Sequence, residues 1–329
     1  MKTKPANEIA QKAVVITGAS SGAGRAAAIA FPQHHATLIL AARRYDILLE
    51  VAEECEMLGG TVLCVSTDVT DAAALKELAN KAITFAGRID VWINNAGVLA
   101  AGEFDSTPLE IHEQVININL MGYIYGAYAV LPLFKKQGYG VLINNISVGG
   151  WFPTPFAAAY TASKFALRGF SESVRAELMN WKNIHVCDLY PAFLDTPGIQ
   201  HAANYTGKVL RPAPPVYNPE RVARAMLRLS VNPQSKTTTD IAAPMLKLSY
   251  SLFPSLSMAI TSRIMRRYFK AADDIKSTSG NTISPVKYGS GVSGGWNYFF
   301  ARKAASPAMN TMLILGGLSL VMALLHKEK

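Results

Sequence analysis

From residue 13 onward, short runs that are apolar at nearly every position alternate with longer stretches whose apolar residues recur every three or four positions. The first pattern predicts strands near 13–18, 37–42, 61–66, 90–94, 140–146 and 184–190; the second predicts helices near 23–34, 46–58, 71–86, 109–136 and 158–181. A strand with one wet face alternates apolar and polar residues, and these do not, so both of their faces must be covered. Apolar strands separated by helices make an α/β fold with a doubly wound parallel sheet of the Rossmann type. No internal repeat is visible beyond this alternation.

The pattern changes after about residue 240. Residues 255–270 read as an amphipathic helix, with Leu256, Ala259, Ile260, Ile264 and Phe269 on one side and Arg263, Arg266, Arg267 and Lys270 crowding the C-terminal half. Residues 277–295 are rich in Ser and Gly and read as a flexible linker. Trp296, Tyr298, Phe299 and Phe300 precede Arg302 and Lys303, an order that suits a membrane interface. Ala304–Leu325 carries no charge, and at ~1.5 Å per residue it is long enough to span a bilayer as a helix. The expected organisation is an α/β domain over 1–240, which also holds the candidate chemistry described below, a basic helical extension over 241–276, a linker over 277–303 and a C-terminal membrane anchor over 304–325.

Charge supports that division. The chain of 329 residues has a net charge of +9, yet from Pro219 onward 15 Lys/Arg face 5 Asp/Glu, so the first two thirds are close to neutral. A basic stretch next to an apolar segment fits an anionic membrane surface better than nucleic acid. Residues 1–12 lack the apolar core of a secretory signal, which places the expected catalytic domain in the cytosol. The three cysteines, Cys55, Cys64 and Cys187, have no paired spacing, so neither a disulfide framework nor a metal site is expected.

Candidate chemistry lies in three places. Tyr160 and Lys164 are four residues apart in a predicted helix, so they share a face; Ser147 lies thirteen residues upstream. A cation beside a phenol favours phenolate, which predicts a Tyr160 pKa lowered toward neutrality. Val14-Val15-Ile16-Thr17-Gly18-Ala19-Ser20-Ser21-Gly22-Ala23-Gly24 runs from a strand through a glycine-rich turn into a helix, the context in which such a turn takes a phosphate at a helix N-terminus. The second strand ends in Ala41-Ala42-Arg43-Arg44. The acid that would hold the 2′-hydroxyl of NAD is missing, and a guanidinium fork matches a 2′-phosphate, so Arg43 and Arg44 predict NADP(H).

Taken together these motifs resemble the short-chain dehydrogenase/reductases. The resemblance covers roughly residues 10–235 and rests on Thr17-Gly18-x-x-x-Gly22-x-Gly24, Asp68-Val69, Asn94-Asn95-Ala96-Gly97, Asn119, Ser147 and Tyr160-x-x-x-Lys164. It implies a catalytic set of Asn119, Ser147, Tyr160 and Lys164. It also implies a cofactor site built from Thr17, Gly18, Ser20, Ser21, Gly22, Gly24, Asp68, Val69, Asn95, Ala96, Gly97, Pro191 and Thr196, with Tyr160 and Lys164 shared. Asp68 is expected at the adenine edge, and Lys164 at the nicotinamide ribose, where it would lower the Tyr160 pKa. A seventh strand is implied near 236–241, and residues 192–218 are implied to cover the substrate. The chain departs from the family pattern at Ala192, where Pro-Gly is usual, at Ala23, and at Pro32-Gln33-His34-His35.

The expected activity is therefore NADP(H)-dependent interconversion of a carbonyl and an alcohol. The anchor and the aromatic run Gly149–Phe156, expected to line an apolar pocket, point to a lipophilic substrate: a steroid, retinoid, fatty acyl compound or aldehyde. The alternatives are a 3-ketoacyl reductase acting on carrier- or CoA-bound chains and a membrane-tethered NADP-binding sensor without turnover. A homo-oligomer is compatible with this reading, and nucleic acid is not an expected partner.

Overall fold

The computed structural model describes residues 11–297. Nine strands are present among them: β1 (Ala13–Thr17), β2 (Thr37–Ala42), β3 (Thr61–Ser66), β4 (Val91–Asn94), β5 (Ala100–Ala101), β6 (Gly140–Asn145), β7 (Ile184–Tyr190), β8 (Ala203–Asn204) and β9 (Lys236–Thr238). Seven form one parallel sheet in the order β3-β2-β1-β4-β6-β7-β9, while β5 and β8 pair separately. The order reverses between β1 and β4, and a doubly wound sheet binds ligands at the carboxyl ends of its strands at such a point. β9 falls where the seventh strand was expected.

The helices are α1 (Gly22–Ala30), α2 (Tyr45–Met57), α3 (Ala72–Ala86), α4 (Leu109–Ile116), α5 (Gly122–Gln137), α6 (Ala158–Glu177), α7 (Glu220–Val231), α8 (Ala242–Leu252) and α9 (Pro254–Ala271). One face of the sheet is covered by α1, α2 and α7 through Val14, Ile16, Leu38, Leu48, Val222 and Met226. The other is covered by α3, α5 and α6 through Val15, Trp92, Leu142, Leu78, Val130, Phe134 and Val174. This two-sided burial is why the strands read as continuous apolar runs. Cys187 is buried and Cys64 half-buried; all three cysteines are free thiols.

Element boundaries differ from the expected ones where a local rule intervenes. The first helix stops at Ala30, and Pro32, which has no N–H to donate, opens a separate 3₁₀ turn over Pro32–His34. The long helix expected over 109–136 is interrupted by a π-helical turn, Asn117–Met121, which carries Asn119. The whole run Leu109–Gln137 is long and apolar enough, by length and composition, to cross a membrane, but Ala127, Val130 and Phe134 pack under the sheet as in a core helix. The expected anchor, 304–325, and the aromatic–basic residues from Tyr298 to Lys303 lie outside the described residues.

Two findings concern the C-terminal part. α8 and α9 follow each other directly as a hairpin, so the expected amphipathic helix is one arm of it. The Ser/Gly-rich stretch expected to be a flexible linker is instead folded onto the α/β domain as far as Trp296. Its glycines serve close packing: a Cβ on Gly280 would lie 2.2 Å from the His201 carbonyl oxygen, and one on Gly294 2.4 Å from that of Thr196. Composition cannot separate a glycine needed for approach from one that lends freedom.

Candidate active site

The site forms where the ends of β1, β4 and β6 meet, and buried amides hold them together. Asn94 and Asn144 are register partners; Asn94 donates to the Asn144 Oδ1 (3.0 Å) and to the Tyr123 carbonyl (3.1 Å), and accepts from the Trp92 indole (2.8 Å). One residue further along, Asn95 donates from Nδ2 to the carbonyls of Thr17 (3.0 Å) and Gly18 (3.3 Å), and its Oδ1 accepts from Asn145 (2.9 Å). Thr17 completes the junction: its hydroxyl donates to the Ile93 carbonyl and accepts from the amides of Asn95 and Ala96.

This junction shapes the glycine turn. Gly18 has φ +67°, and a Cβ there would lie 2.7 Å from the Ala96 Cα; a Cβ on Gly24 would lie 2.2 Å from the Gly18 carbonyl oxygen. Bare backbone is thus required where the two turns press together. Ser21 caps α1 in an extended conformation without a side-chain cap bond. Ser20 is bound through Oγ and its carbonyl to the Arg44 guanidinium.

Of the expected site residues, Gly18, Ser20, Ser21, Gly22, Arg43, Arg44, Asp68, Val69, Asn95, Ala96, Gly97, Ser147, Tyr160, Lys164, Pro191 and Thr196 line one continuous cleft of about 2440 Å³. Thr17, Gly24 and Asn119 stand behind it as supports. The Asn119 carboxamide is spent on the backbone, accepting from the Val98 amide (2.8 Å) and donating to its carbonyl (2.9 Å), which fixes the turn after Gly97. Asp68 accepts from the Thr70 amide and hydroxyl, and its charge supports Arg43 against the cost of burial.

Ser147, Tyr160 and Lys164 come together as the spacing predicts. Ser147 has φ 109° and ψ 156°, a region that costs a non-glycine residue ~1–3 kcal/mol and tends to occur at functional sites. Its Oγ accepts from the Gly149 amide (3.2 Å), so the hydroxyl hydrogen is turned toward Tyr160. A Cβ on Gly149 would lie 2.9 Å from the Tyr160 ring, so this glycine gives the ring its place. Lys164 Nζ lies 5.8 Å from the centroid of the Tyr160 ring and 5.1 Å from that of Tyr123.

The electrostatics correct one expectation. The Tyr160 pKa is not lowered but raised, because burial penalises the phenolate; the hydrogen bond with Ser147 only pulls it part of the way back. Lys164 is depressed to about 7 by the same desolvation. Desolvation of the phenol thus outweighs the nearness of a cation that burial itself disfavours.

Several residues that matter were not singled out from the sequence. Asn145 lines the cleft and its Oδ1 is buried without a partner; so is that of Asn281, from the stretch expected to be a linker. Met245, Leu246, Ser249, Leu252, Leu256, Ile260, Ile264 and Met265 of α8 and α9 extend the cleft into an apolar groove. The aromatic run divides: Phe152 and Pro155 line the cleft, whereas Trp151 stacks on Tyr190 at 3.8 Å and Phe156 packs on Phe269 of α9 at 5.1 Å. From the segment expected to cover the substrate, Phe193, Leu194, Leu210 and Pro212 also line the cleft.

Comparison with known proteins agrees with this geometry. Residues 12–205 match the family model described as short chain dehydrogenase. The chain belongs to the short-chain dehydrogenase family. It is 32% identical to the uncharacterized oxidoreductase YxnA of Bacillus subtilis over 80% of this chain and 76% of that one. It is 33% identical to the 3-oxoacyl-[acyl-carrier-protein] reductase FabG of Thermotoga maritima (70% and 94% covered) and 31% identical to the 3-ketodihydrosphingosine reductase of Bos taurus (66% and 68%). Among solved structures, an alcohol dehydrogenase from Thermococcus sibiricus complexed with 5-hydroxy-NADP superposes with a TM-score of 0.59 at 26% identity, covering 69% of this chain and 95% of that one. Family members are oxidoreductases that bind a nicotinamide cofactor.

The buried lysine has a measurable consequence. Its pKa of about 7 in the fold lies below the ordinary 10.5, so between those values the unfolded chain holds one more proton than the folded chain. Stability contributed by this residue therefore rises with pH across that window, by up to ~1.4 kcal/mol per pH unit, and the full cost of burying the ammonium applies below about pH 7. Lys164→Met removes the cost. Urea unfolding without added nucleotide should show the variant more stable than wild type near pH 7, with the gap closing toward pH 10. A gap that does not change with pH contradicts the depressed pKa.

Proposed function

We propose that this chain is an NADP(H)-dependent oxidoreductase interconverting a carbonyl and an alcohol on a lipophilic substrate met at a membrane surface. The carrying observation is the continuity of the cleft: it runs from the glycine turn and Arg43/Arg44, past Ser147 and Tyr160, into the apolar groove between the 193–212 segment and α8–α9. Its volume of about 2440 Å³ exceeds the ~300–1,000 Å³ of an ordinary ligand pocket, leaving room for a long apolar substrate beside a dinucleotide.

The residues fit the cofactor. Bare backbone at Gly18 and Gly22 permits close approach; the start of α1 beyond the Gly22 amide, which donates to the Gly291 carbonyl, the cations at the end of β2 and two unpartnered carboxamide oxygens offer donors and acceptors that suit a phosphorylated dinucleotide. When bound, the nicotinamide group supplies or accepts the hydride. Ser147, its Oγ oriented by the Gly149 amide, donates a hydrogen bond to the substrate oxygen. Tyr160 gives that oxygen its proton in reduction and takes it back in oxidation. Its raised pKa keeps the proton on the phenol until it is needed. Lys164 would hold the ribose of a bound nicotinamide nucleotide, and Asn119 keeps the Gly97 turn in place.

A membrane surface is supported by what α8 and α9 leave uncovered. Ile241, Met245, Leu248, Leu252 and Ile264 are each about 60–75% exposed, and Arg263, Arg266, Arg267 and Lys270 lie on the same hairpin. Apolar chains flanked by cations suit an interfacial helix. The match to FabG favours a second reading, a 3-ketoacyl reductase acting on carrier- or CoA-bound chains, with the same catalytic residues and a charged carrier at the mouth of the groove.

Three measurements test this reading. Tyr160→Phe should keep nucleotide binding and lose turnover ~10²-fold or more, judged by NADPH oxidation with a panel of steroid, retinal, long-chain aldehyde and 3-ketoacyl substrates. Near-normal turnover in the folded variant refutes the catalytic assignment, whereas no turnover by wild type across the panel favours the non-catalytic sensor. Replacing Arg43 and Arg44 together by Ala should weaken NADPH by ~10-fold or more and NADH little; equal losses contradict NADP preference. Deleting residues 304–329 should release most of the protein from carbonate-washed membranes, with a salt-sensitive remainder held by the α9 cations. Full-length protein that fractionates as soluble excludes the anchor.

A further inference from the structure

The stretch 281–296 crosses the adenosine end of the cofactor cleft, and its main-chain carbonyls engage the cations found there. Arg43 donates to the carbonyls of Asn281 (2.6 Å) and Ile283 (3.4 Å). Arg44 donates to those of Val286 and Tyr288 (3.3 Å each) while also holding Ser20. Arg25, on the first turn of α1, donates to the Ser290 carbonyl (3.0 Å), and the Gly22 amide donates to that of Gly291 (3.0 Å).

The strap is fastened at its far end. Asp195, which is buried, accepts from the Ser293 hydroxyl and the Trp296 amide, and the Trp296 indole donates to the Thr196 carbonyl. Val292 packs against the core on the α1 side of the sheet. The Tyr288 carbonyl meets a ring nitrogen of His201 at 3.0 Å, and Gly289, at φ +68°, sits so close that a Cβ would lie 2.3 Å from His201 Nε2. The strap does not fill the cleft. Asn281, Pro285 and Val286 form part of its wall, with the Asn281 Oδ1 buried and unpartnered, an acceptor that no protein donor satisfies.

We infer that residues 281–291 are the outer wall of the nucleotide site and set the orientation of Arg43 and Arg44, so that preference for a 2′-phosphorylated cofactor depends on the strap. This deepens the NADP reading above and rests on it. A long, exposed arginine has many rotamers, and fixing two of them costs entropy at each binding event. Here neutral carbonyls take one N–H from each arm of the Arg43 fork and hold it over the cleft, leaving its other N–H groups to meet a phosphate; in Arg44 both arms are engaged, by the strap and by Ser20, so it is locked beside Arg43 as a fixed positive charge with only Nε–H uncommitted. Neutral acceptors orient the forks without cancelling their charge, whereas a carboxylate in the same place would compete with the phosphate for it. The matched family segment ends at residue 205, so the wall is supplied by the chain beyond it.

The test is the ratio of affinities for NADPH and NADH, since a merely structural role would weaken both alike. Gly289→Val in the full chain forces a side chain against His201 and lifts the strap while leaving Arg43, Arg44 and the catalytic side chains unaltered. NADPH affinity, followed by nucleotide fluorescence, should fall ~10-fold or more while NADH affinity changes by less than ~3-fold, the difference expected from losing a charge-assisted hydrogen bond. Trypsin cleavage after the exposed Lys287 of wild type carries the same test if the variant does not fold: saturating NADPH should slow it well beyond the effect of saturating NADH. An unchanged ratio, equal protection by the two nucleotides, or tighter NADPH binding by the variant overturns the inference. Wild type that prefers NADH overturns the NADP reading with it. Wild type that prefers NADPH, paired with a strap variant that keeps that preference, overturns the strap alone.

Discussion

The buried amide junction at the ends of β1, β4 and β6 is the constraint on which the site depends. Asn94 and Asn144 are almost wholly inaccessible, and a carboxamide buried without partners costs ~1–3 kcal/mol. They partner each other only when β4 and β6 are in register; Asn94 further needs Trp92 and Tyr123 in place, and Asn144 needs Ser171 of α6. The next residue, Asn95, then ties the β4 turn to the Thr17–Gly18 turn. A slip of one residue in either strand would leave several polar atoms unsatisfied, so the network selects one register. The glycine turn, the Gly97 turn and the approach to Ser147 all inherit their positions from it.

The trio of Ser147, Tyr160 and Lys164 follows a related logic, with burial as its main cause. Ser147 is held in a backbone conformation that serine avoids, Tyr160 is seated against a glycine, and Lys164 is nearly enclosed by Tyr123 and Tyr160. The shared desolvation pushes the two ionisable groups in opposite senses: the phenol keeps its proton more firmly and the ammonium loses its own more readily. Proximity of a cation would make the phenol acidic in water-exposed surroundings. In this pocket, burial outweighs it.

Beyond the sheet, the C-terminal third is built onto the site. α8 and α9 extend the cleft into an apolar groove, and Phe156 in the loop after Ser147 packs on Phe269 of α9, which places the hairpin against the catalytic loop. The strap closes the opposite end, over Arg43 and Arg44. The family core thus supplies the shared chemistry, and the added segments form both ends of the cleft.

The doubly wound sheet was legible from periodicity alone, because covering both faces demands strands that are apolar throughout. The trio was legible because positions four apart on a helix share a face, and the glycine turn because a strand, bare backbone and a helix start occur together. Other features depended on contacts between residues far apart in the chain. The Ser/Gly-rich stretch carries the composition of a linker, and only the nearness of His201 and Thr196 shows that its glycines are there for close approach. The π-turn that presents Asn119 has no local signal, since one extra residue in a helical turn barely alters an apolar period. The direction of the Tyr160 shift was also out of reach: a sequence shows which charges are neighbours, whereas the desolvation that overrides them is a property of everything packed around them.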